Sequence, residues 1–175
     1  MSGEGKGGEG LWVVGACPLF VNTPHPLLPP HTHKPHSDFG GRLNFSGRAA
    51  TVKCFENNPL VRATLGEPGA GRVLVVDGDA SLRCALLGDK NAAMAFANGW
   101  SGIIINGCIR DSLDISKIDL GVKALATSPP HFISSKRDPG LRDVPLSFAG
   151  VTVTPGDWVY ADGDGVLVSK EELKL

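Results

Sequence analysis

The chain has 175 residues, of which 42% are hydrophobic and 20% charged, and its formal net charge is −1. This length suits one domain with a sizeable hydrophobic core. The near-zero charge lacks the excess of Lys and Arg that neutralises phosphates in nucleic-acid-binding proteins, so we expect no nucleic-acid ligand. The 23 glycines and 13 prolines favour a fold rich in strands and turns over a helical bundle.

Residues 1–37 differ in composition from the rest of the chain. Glycines crowd its first part and prolines its second, which disfavours helices and central strands, so we predict a disordered or loosely attached segment. The spacing of His31, His33 and His36 could hold a metal ion, but we interpret them as a solvated tail because no flanking structure fixes their geometry. Neither a signal peptide nor a membrane span is indicated, so we expect a cytoplasmic protein with reduced cysteines.

From residue 38 onward, hydrophobic periodicity predicts alternating strands and helices. Strand, helix and strand in succession are typical of right-handed βαβ units on a parallel sheet. Gly99, directly after the second helix, is typical of a helix C-terminus. The predicted strands are residues 50–55, 72–77, 81–87, 102–106 and 121–127, and the predicted helices are residues 59–65, 89–98 and 112–119.

The last third of the chain has a different pattern, in which short apolar segments alternate with turn sequences. The turns read Ala-Gly, Pro-Gly-Asp and Asp-Gly-Asp-Gly, which are typical of hairpins, so we expect these strands to pair antiparallel. The predicted fold is therefore an α/β domain over residues 38–175, in which a parallel βαβ layer joins an antiparallel β layer. The four predicted strands of the second layer are residues 144–148, 151–154, 158–161 and 165–169.

Polar residues leave the predicted parallel sheet at two points. Residues 88–91, Gly-Asp-Lys-Asn, open the second helix, whose first N–H groups can bind an anion. Arg110 and Asp111 follow the next strand, and a guanidinium can bind a carboxylate through two parallel hydrogen bonds. Ligands of parallel sheets bind at the carboxyl ends of the strands, so we expect these residues to lie together. Two neighbouring anion-binding groups indicate an oxo-acid or dicarboxylate substrate.

Simpler interpretations of the same residues stay open at this point. Asp89 could be the N-cap of the second helix, and Arg110 with Asp111 a surface ion pair of little energetic weight. Other carboxylates lie in glycine-rich stretches, where we interpret them as turn residues rather than metal ligands. These are Asp77, Asp79, Asp162 and Asp164.

The same site residues carry a resemblance to a known family. Asp89 is followed by twenty residues and then by Arg110 and Asp111. This arrangement, together with FSGRAATVKCFENN, PGDWVYAD and DGVLVS, resembles the family that contains the regulator of ribonuclease E activity A and the class II 4-hydroxy-4-methyl-2-oxoglutarate aldolases. The resemblance covers residues 38–175. Residues 1–37 do not match the family, and Asp-Gly-Asp-Ala at residues 77–80 stands where the family has a DGGG turn.

The resemblance implies a swivelling β/β/α domain that forms a homotrimer with active sites between protomers. It also implies cleavage of 4-hydroxy-4-methyl-2-oxoglutarate to two pyruvates, with oxaloacetate decarboxylation as a secondary activity, through a metal-stabilised pyruvate enolate. Carried over by position, Asp111 would bind a divalent metal, for which Mg²⁺ or Mn²⁺ suits an oxygen ligand better than zinc. Arg110 would bind the substrate carboxylate and keto oxygen, and Asp89 would order metal-bound waters. The substrate would lie against the backbone of Gly88, Asp89, Lys90 and Asn91.

Two other functions compete with this one. A non-catalytic protein-binding regulator resembling the ribonuclease E inhibitor has no need of Asp89, Arg110 and Asp111 together, so we favour the enzyme. A Schiff-base aldolase would need a desolvated lysine, and the sequence gives no sign that any lysine is buried. The candidates by residue type are Lys90, Lys123 and Lys136.

Overall fold

The computed structural model describes residues 36–130 and 138–173, together with the backbone of residues 12–14. Strands outnumber helices in these parts of the chain, as the composition predicts. In chain order the elements are β1 (Trp12–Val14), β2 (Ser37–Asp38), β3 (Phe45–Lys53), α1 (Pro59–Leu65), β4 (Val73–Asp77), β5 (Ala85–Leu87), α2 (Asp89–Ala97), β6 (Gly102–Ile109), α3 (Ser112–Ile115), β7 (Gly121–Thr127), β8 (Leu141–Arg142), β9 (Leu146–Phe148), β10 (Val151–Val153), β11 (Trp158–Ala161) and β12 (Val166–Ser169).

The parallel part of the main sheet has the strand order β3-β4-β6-β7. Its central strands β4 and β6 are buried at every residue, because both faces of the sheet are covered. On β4, Leu74 and Val76 pack with residues of α1 and α2, whereas Val73 and Val75 pack with residues of β9 to β12. The helices therefore cover one face, and the antiparallel strands cover the other.

Strand β3 joins the two layers of sheet. Its first half pairs antiparallel with β11, and its second half, from Ala49, pairs parallel with β4. Strands β11 and β12 pair antiparallel, as do β9 and β10. A second core, which includes Ile104 and Val159, fills the space between the layers. The predicted β/β/α arrangement is confirmed.

Most predicted element positions are confirmed, and the departures have local causes. The bounds of α1, β7 and β11 are as predicted, and Gly99 after α2 has a φ of 76°. Strand β3 begins at Phe45, five residues early, because β11 supplies a partner for its polar first half. Helix α3 ends at Ile115, its buried residue, and the chain then bends so that the Ile118 carbonyl accepts from the Gly41 N–H at 2.9 Å.

Most of the segment 1–37 lies outside the described residues, including His31 and His33. The structure differs from the predicted disorder at two places: β1 pairs with β12, and Ser37 in β2 pairs with β7. The solvated-tail interpretation is wrong for His36, whose ring contacts Phe148 with the ring centroids 6.2 Å apart. The boundary between residues 37 and 38 remains a prediction.

The described cysteines Cys54, Cys84 and Cys108 are buried, as expected of small apolar residues. Burial, helped by the negative charge of Asp77, raises the pKa of Cys54 to about 12, so this side chain stays a thiol. Among the described residues, no helix has the length and apolarity needed to cross a membrane. Cys17 lies outside the described residues.

The hairpin between β9 and β10 yields a prediction about stability. Phe148 pairs with Val151, so the loop is Ala149-Gly150, with φ of 52° and 78°. This is the type I′ geometry that Asn-Gly favours, and alanine is strained in it. We expect Ala149→Asn to raise the free energy of unfolding by about 0.5–1 kcal/mol, measured by urea denaturation.

The control for this substitution is Ala63→Asn, which places the same residue on the exposed side of α1. Asparagine has lower helix propensity than alanine, so this variant should lose about 0.5 kcal/mol. An Ala149→Asn protein no more stable than the parent chain would contradict the assigned strain.

Candidate active site

The parallel pairing of β5 with β6 brings the two predicted site segments together. The ladder ends where Leu87 pairs with Ile109, and the Arg110 N–H donates to the Leu87 carbonyl at 2.9 Å. Gly88 and Arg110 therefore leave the sheet side by side at the carboxyl ends of their strands. This is the edge at which parallel sheets bind ligands, so the predicted placement is obtained.

Asp111 lies at the centre of this group. Its Oδ2 accepts a long hydrogen bond of 3.5 Å from the Asp89 N–H, and it lies 3.5 Å from Nε of Arg110. The side chains of Arg110 and Asp111 are 35% and 30% exposed, so both are open to a ligand from solvent. Asp111 is the residue directly before α3, and its backbone is left-handed there, with a φ of 58°.

Gly88 leaves the space that Arg110 and Asp111 occupy. A Cβ at this position would lie 2.8 Å from Oδ2 of Asp111 and 3.1 Å from Nε of Arg110. The φ of −133° and ψ of 176° at Gly88 are extended values that any residue adopts. The backbone conformation does not require glycine here, but an added Cβ would force the side chains of Asp111 and Arg110 to shift.

The first turn of α2 faces the same space. Gly88 is the residue before the helix, and its carbonyl accepts from the N–H groups of Asn91 and Ala92. Asp89 is the first helical residue, so the interpretation of Asp89 as an N-cap is wrong. Lys90 is exposed, and Asn91 is half-buried. The N–H groups at the start of the helix, together with its positive dipole end, favour an anion at this position.

The turn at residues 77–80 is fastened to β6 beside the site. Asn106 donates from Nδ2 to Oδ1 of Asp77 at 2.9 Å, and the Asp79 N–H donates to the same oxygen at 3.0 Å. Asp79 and Ala80 have φ of 56° and 52°, values that glycine adopts at lower cost. Asp79 is thus a turn residue, as predicted, whereas Asp77 is the last residue of β4 and accepts hydrogen bonds that hold the turn. The structural role of Asn106 was not predicted.

A second buried carboxylate, Glu56, fastens the following loop. Glu56 accepts from the Ser81 hydroxyl at 2.6 Å and from Nε of Arg83 at 2.7 Å. The Arg83 guanidinium also lies over the ring of Phe55, 5.9 Å from its centroid. The sequence analysis did not single out these residues. The role of Glu56 could not be predicted from the sequence, because its partners lie more than twenty residues away along the chain.

The other candidate groups are explained without a ligand. Asp162 accepts from the backbone N–H groups of residues 164 and 165, which confirms the hairpin interpretation. Lys123 is buried, contrary to expectation, with its side chain only 1% exposed and its Nζ 2.7 Å from Oδ1 of Asp38. It is therefore ion-paired and closed to a substrate. Lys136 lies outside the described residues.

Asp111 offers oxygen ligands to a metal ion, but not as part of a preformed cluster. In residues 36–130 and 138–173, no three His, Cys, Asp or Glu side chains could hold an ion together. A carboxylate supplemented by water suits a hard cation such as Mg²⁺, which usually keeps several waters. The partly exposed carboxylate of Asp111 fits such an ion.

The fold and the site together define a β/β/α domain with a guanidinium, a carboxylate and a helix start at one carboxyl edge of its sheet. A family described as RraA-like, Aldolase/RraA, matches residues 28–168, and the chain belongs to this family. The match begins ten residues before the predicted start of the domain and ends within β12. The resemblance carried by Asp89, Arg110 and Asp111 is thereby confirmed.

Relatives with high sequence identity carry the name of an aldolase. A protein of Alkalilimnicola ehrlichii named "Putative 4-hydroxy-4-methyl-2-oxoglutarate aldolase" is 55% identical over 136 residues, which are 78% of this chain and 83% of the relative. A protein of Deinococcus radiodurans with the same name is 57% identical over 131 residues, which are 75% of this chain and 81% of the relative. These names support a lyase activity.

Solved structures with the same fold carry different names. The RNA-processing inhibitor RraA from Thermus thermophilis is 43% identical with a TM-score of 0.76, covering 79% of this chain and 84% of the other. An S-adenosylmethionine:2-dimethylmenaquinone methyltransferase from Geobacillus kaustophilus is 48% identical with a TM-score of 0.76, covering 79% of this chain and 85% of the other. Because these names differ, the choice of function depends on the site.

The steric role of Gly88 gives a prediction specific to the site. We expect Gly88→Ala to fold normally, because its backbone suits alanine, and to displace Asp111 and Arg110. Pyruvate release from oxaloacetate, the secondary activity that the family resemblance implies, should fall at least about ten-fold, since a small misplacement of reacting groups has a large kinetic effect. Activity assays combined with thermal unfolding measure both properties.

The control is Gly163→Ala, at an exposed turn where an added Cβ would meet nothing within 4 Å. This variant should keep the activity of the parent. Equal activity in the Gly88→Ala and Gly163→Ala proteins would show that the space at Gly88 has no role.

Proposed function

We propose that this chain is a divalent-metal-dependent lyase that cleaves 4-hydroxy-4-methyl-2-oxoglutarate to two pyruvates and also decarboxylates oxaloacetate. The observation that carries the proposal is the convergence of Arg110, Asp111 and the start of α2 around the space left by Gly88. A guanidinium, a carboxylate that would hold a cation, and the start of a helix within one open edge suit an anionic oxo-acid. The names of the aldolase relatives support the same reaction.

Both reactions place negative charge on one oxygen. Aldol cleavage breaks the C3–C4 bond, the C4 hydroxyl loses its proton, and the electron pair of the broken bond remains in a pyruvate enolate. Decarboxylation of oxaloacetate leaves the same enolate after loss of CO₂. An active site for either reaction must therefore stabilise the developing oxyanion, which is the largest contribution in many enzymes.

In this proposal Asp111 would hold the divalent cation, which as a Lewis acid stabilises charge on the enolate oxygen. Arg110 supplies a second positive group, close enough to Asp111 for the two to act on one substrate. Its planar guanidinium suits the carboxylate and keto oxygen of a 2-oxo acid. The N–H groups of Asp89 and Lys90 at the start of α2 would orient the substrate, and Asp89 would order water.

The proposal includes a homotrimer with active sites between protomers. This assembly is what the family resemblance implies. A neighbouring copy would complete the surroundings of the cation. The small oxo-acid is the expected substrate, and neither a nucleic acid nor a membrane is an expected partner.

A non-catalytic regulator is the second candidate, favoured by the similarity to the RNA-processing inhibitor RraA. Such a protein would act by docking on another protein. The two functions separate in one assay, which measures pyruvate release from oxaloacetate with Mg²⁺ and with a chelator. Turnover that the chelator abolishes supports the lyase, and a complete lack of turnover supports the regulator.

Substitution of Asp111 and Arg110 tests the assigned roles. Asp111→Asn removes the negative charge and keeps a residue that tolerates the φ of 58°. We expect at least about a 100-fold loss of Mg²⁺-dependent turnover, because the carboxylate ligand is lost.

The Arg110→Lys protein should also lose at least about 100-fold in turnover, since an ammonium cannot reproduce the two hydrogen bonds that a guanidinium makes to a carboxylate.

The matched control for the arginine variant is Arg62→Lys on the exposed side of α1. It should leave turnover unchanged. Parent-like turnover of Asp111→Asn at saturating Mg²⁺ would contradict the metal assignment, and near-normal kinetics of Arg110→Lys would reduce Arg110 to a surface ion pair.

Borohydride trapping distinguishes this mechanism from a Schiff-base aldolase. Lys123 is buried and paired with Asp38, so we expect no covalent adduct after incubation with pyruvate and borohydride. Mass spectrometry of the intact protein and of its peptides measures this. A mass increase on Lys90, Lys123 or Lys136 would replace the metal-dependent mechanism with the covalent one.

A further inference from the structure

Strand β2 is a two-residue strand at one end of the main sheet. Ser37 pairs with Ala124, and Asp38 pairs with Lys123 on β7. The next residue extends the contact, since the Phe39 N–H donates to the Val122 carbonyl at 2.9 Å. The strand itself has few backbone hydrogen bonds, so its side-chain contacts contribute much of its own attachment, while the following residues are held separately, as by the Gly41 N–H to the Ile118 carbonyl.

Asp38 is held by a buried cation. Nζ of Lys123 lies 2.7 Å from Oδ1 of Asp38, and the lysine side chain is only 1% exposed while that of Asp38 is 24% exposed. A buried charge without a partner is costly, so opening of β2 requires that water replace Asp38 around Lys123. This ion pair therefore helps to hold β2 on β7, and a second positive charge close to Lys123 would weaken the attachment.

The ring of His36 packs against Phe148 and lies within electrostatic range of Lys123. Its Nε2 is buried and has no hydrogen-bond partner among the described residues, and the ring also hydrogen-bonds to the backbone of Ile105. Burial, and then the positive charge of Lys123, lower the pKa of His36 to about 4. On the β9 side, the His36 ring contacts the uncharged ring of Phe148. Lys123 from β7 is therefore the charged group that acts on His36.

We propose that His36, Asp38 and Lys123 form an acid-sensitive latch that holds β2 on the edge of β7. Protonation of His36 places a second positive charge next to Lys123 and creates a buried N–H without an acceptor. Opening of β2 exposes the ring to water and removes both penalties. It also uncovers the backbone groups of β7 at Val122 and Ala124.

The sign and size of the effect follow from proton linkage. In the open state His36 has its ordinary pKa of about 6.5, so between pH 6.5 and 4 the open state binds the extra proton. The latch is therefore fully closed above this range and weakens as the pH falls. Opening should increase about ten-fold from pH 7.5 to 5.5 and roughly 70-fold from pH 7.5 to 4.5.

Hydrogen exchange of the full chain tests the latch. The protection factor of the Phe39 amide, corrected for intrinsic exchange at each pH, should fall about ten-fold from pH 7.5 to 5.5. In His36→Gln, which has no titrating ring, it should stay constant over this range. The internal control is the Val75 amide in β4, whose protection should show no comparable fall in either protein.

Each other outcome overturns the proposal. Constant protection at Phe39 in the parent excludes an acid response, and an equal fall in His36→Gln assigns the response to another group. A parallel fall at Val75 would indicate global unfolding. Should His36→Gln fail to fold, the NMR titration of the His36 ring in the parent decides: a midpoint below pH 5 supports the latch, and a midpoint at 6.5 or above contradicts it.

Discussion

The pairing of β5 with β6 is the constraint on which the candidate site depends. These strands run parallel and end together, so the residues that follow them, Gly88 and Arg110, leave the sheet as neighbours. A helix starts directly after the first, and Asp111 follows the second. The anion-binding start of α2 and the two charged side chains are therefore brought together by backbone pairing alone. Side-chain contacts between the two segments are few, which leaves the site open to a ligand.

Backbone strain is concentrated near the same edge of the sheet. Four non-glycine residues there adopt left-handed φ between 49° and 58°, namely Glu56, Asp79, Ala80 and Asp111. Each such conformation costs about 1–3 kcal/mol and persists only where its surroundings fix it. Hydrogen bonds to the carboxylates of Asp77 and Glu56 supply that restraint for the loops before β5. Strain of this kind is typical of functional sites, which favours a role for this edge beyond folding.

Local sequence patterns were sufficient to predict much of this fold. Helix α1 begins at a proline and α2 is followed by a glycine, and both helices occur where these signals place them. The start of β3 was missed because its first half alternates polar and apolar residues and acquires a partner only from β11, more than a hundred residues later. The site segments were predicted because a strand end and a helix start are both local features.

Contacts between distant residues could not be predicted in this way. Asn106 and Asp77 are 29 residues apart, and Arg83 and Glu56 are 27 apart, so neither hydrogen bond leaves a signal in a local pattern. The burial of Lys123 is a further case, because lysine is rarely buried and its partner lies on a strand at the start of the domain. His36 was likewise predicted to lie in a solvated tail, because its contact with Phe148 joins residues more than a hundred positions apart.

The relatives and structural neighbours of this chain carry the names of an aldolase, an inhibitor and a methyltransferase, so the shared fold does not choose between activities. The choice between these functions therefore depends on features of the site that the fold does not require. Gly88 has a backbone conformation open to any residue, yet a larger side chain would collide with Asp111 and Arg110. A surface that only docks on another protein has no need for this close approach of two charged side chains to a glycine. A site that must hold a carboxylate ligand and a guanidinium close to one small substrate does, and this difference favours the lyase.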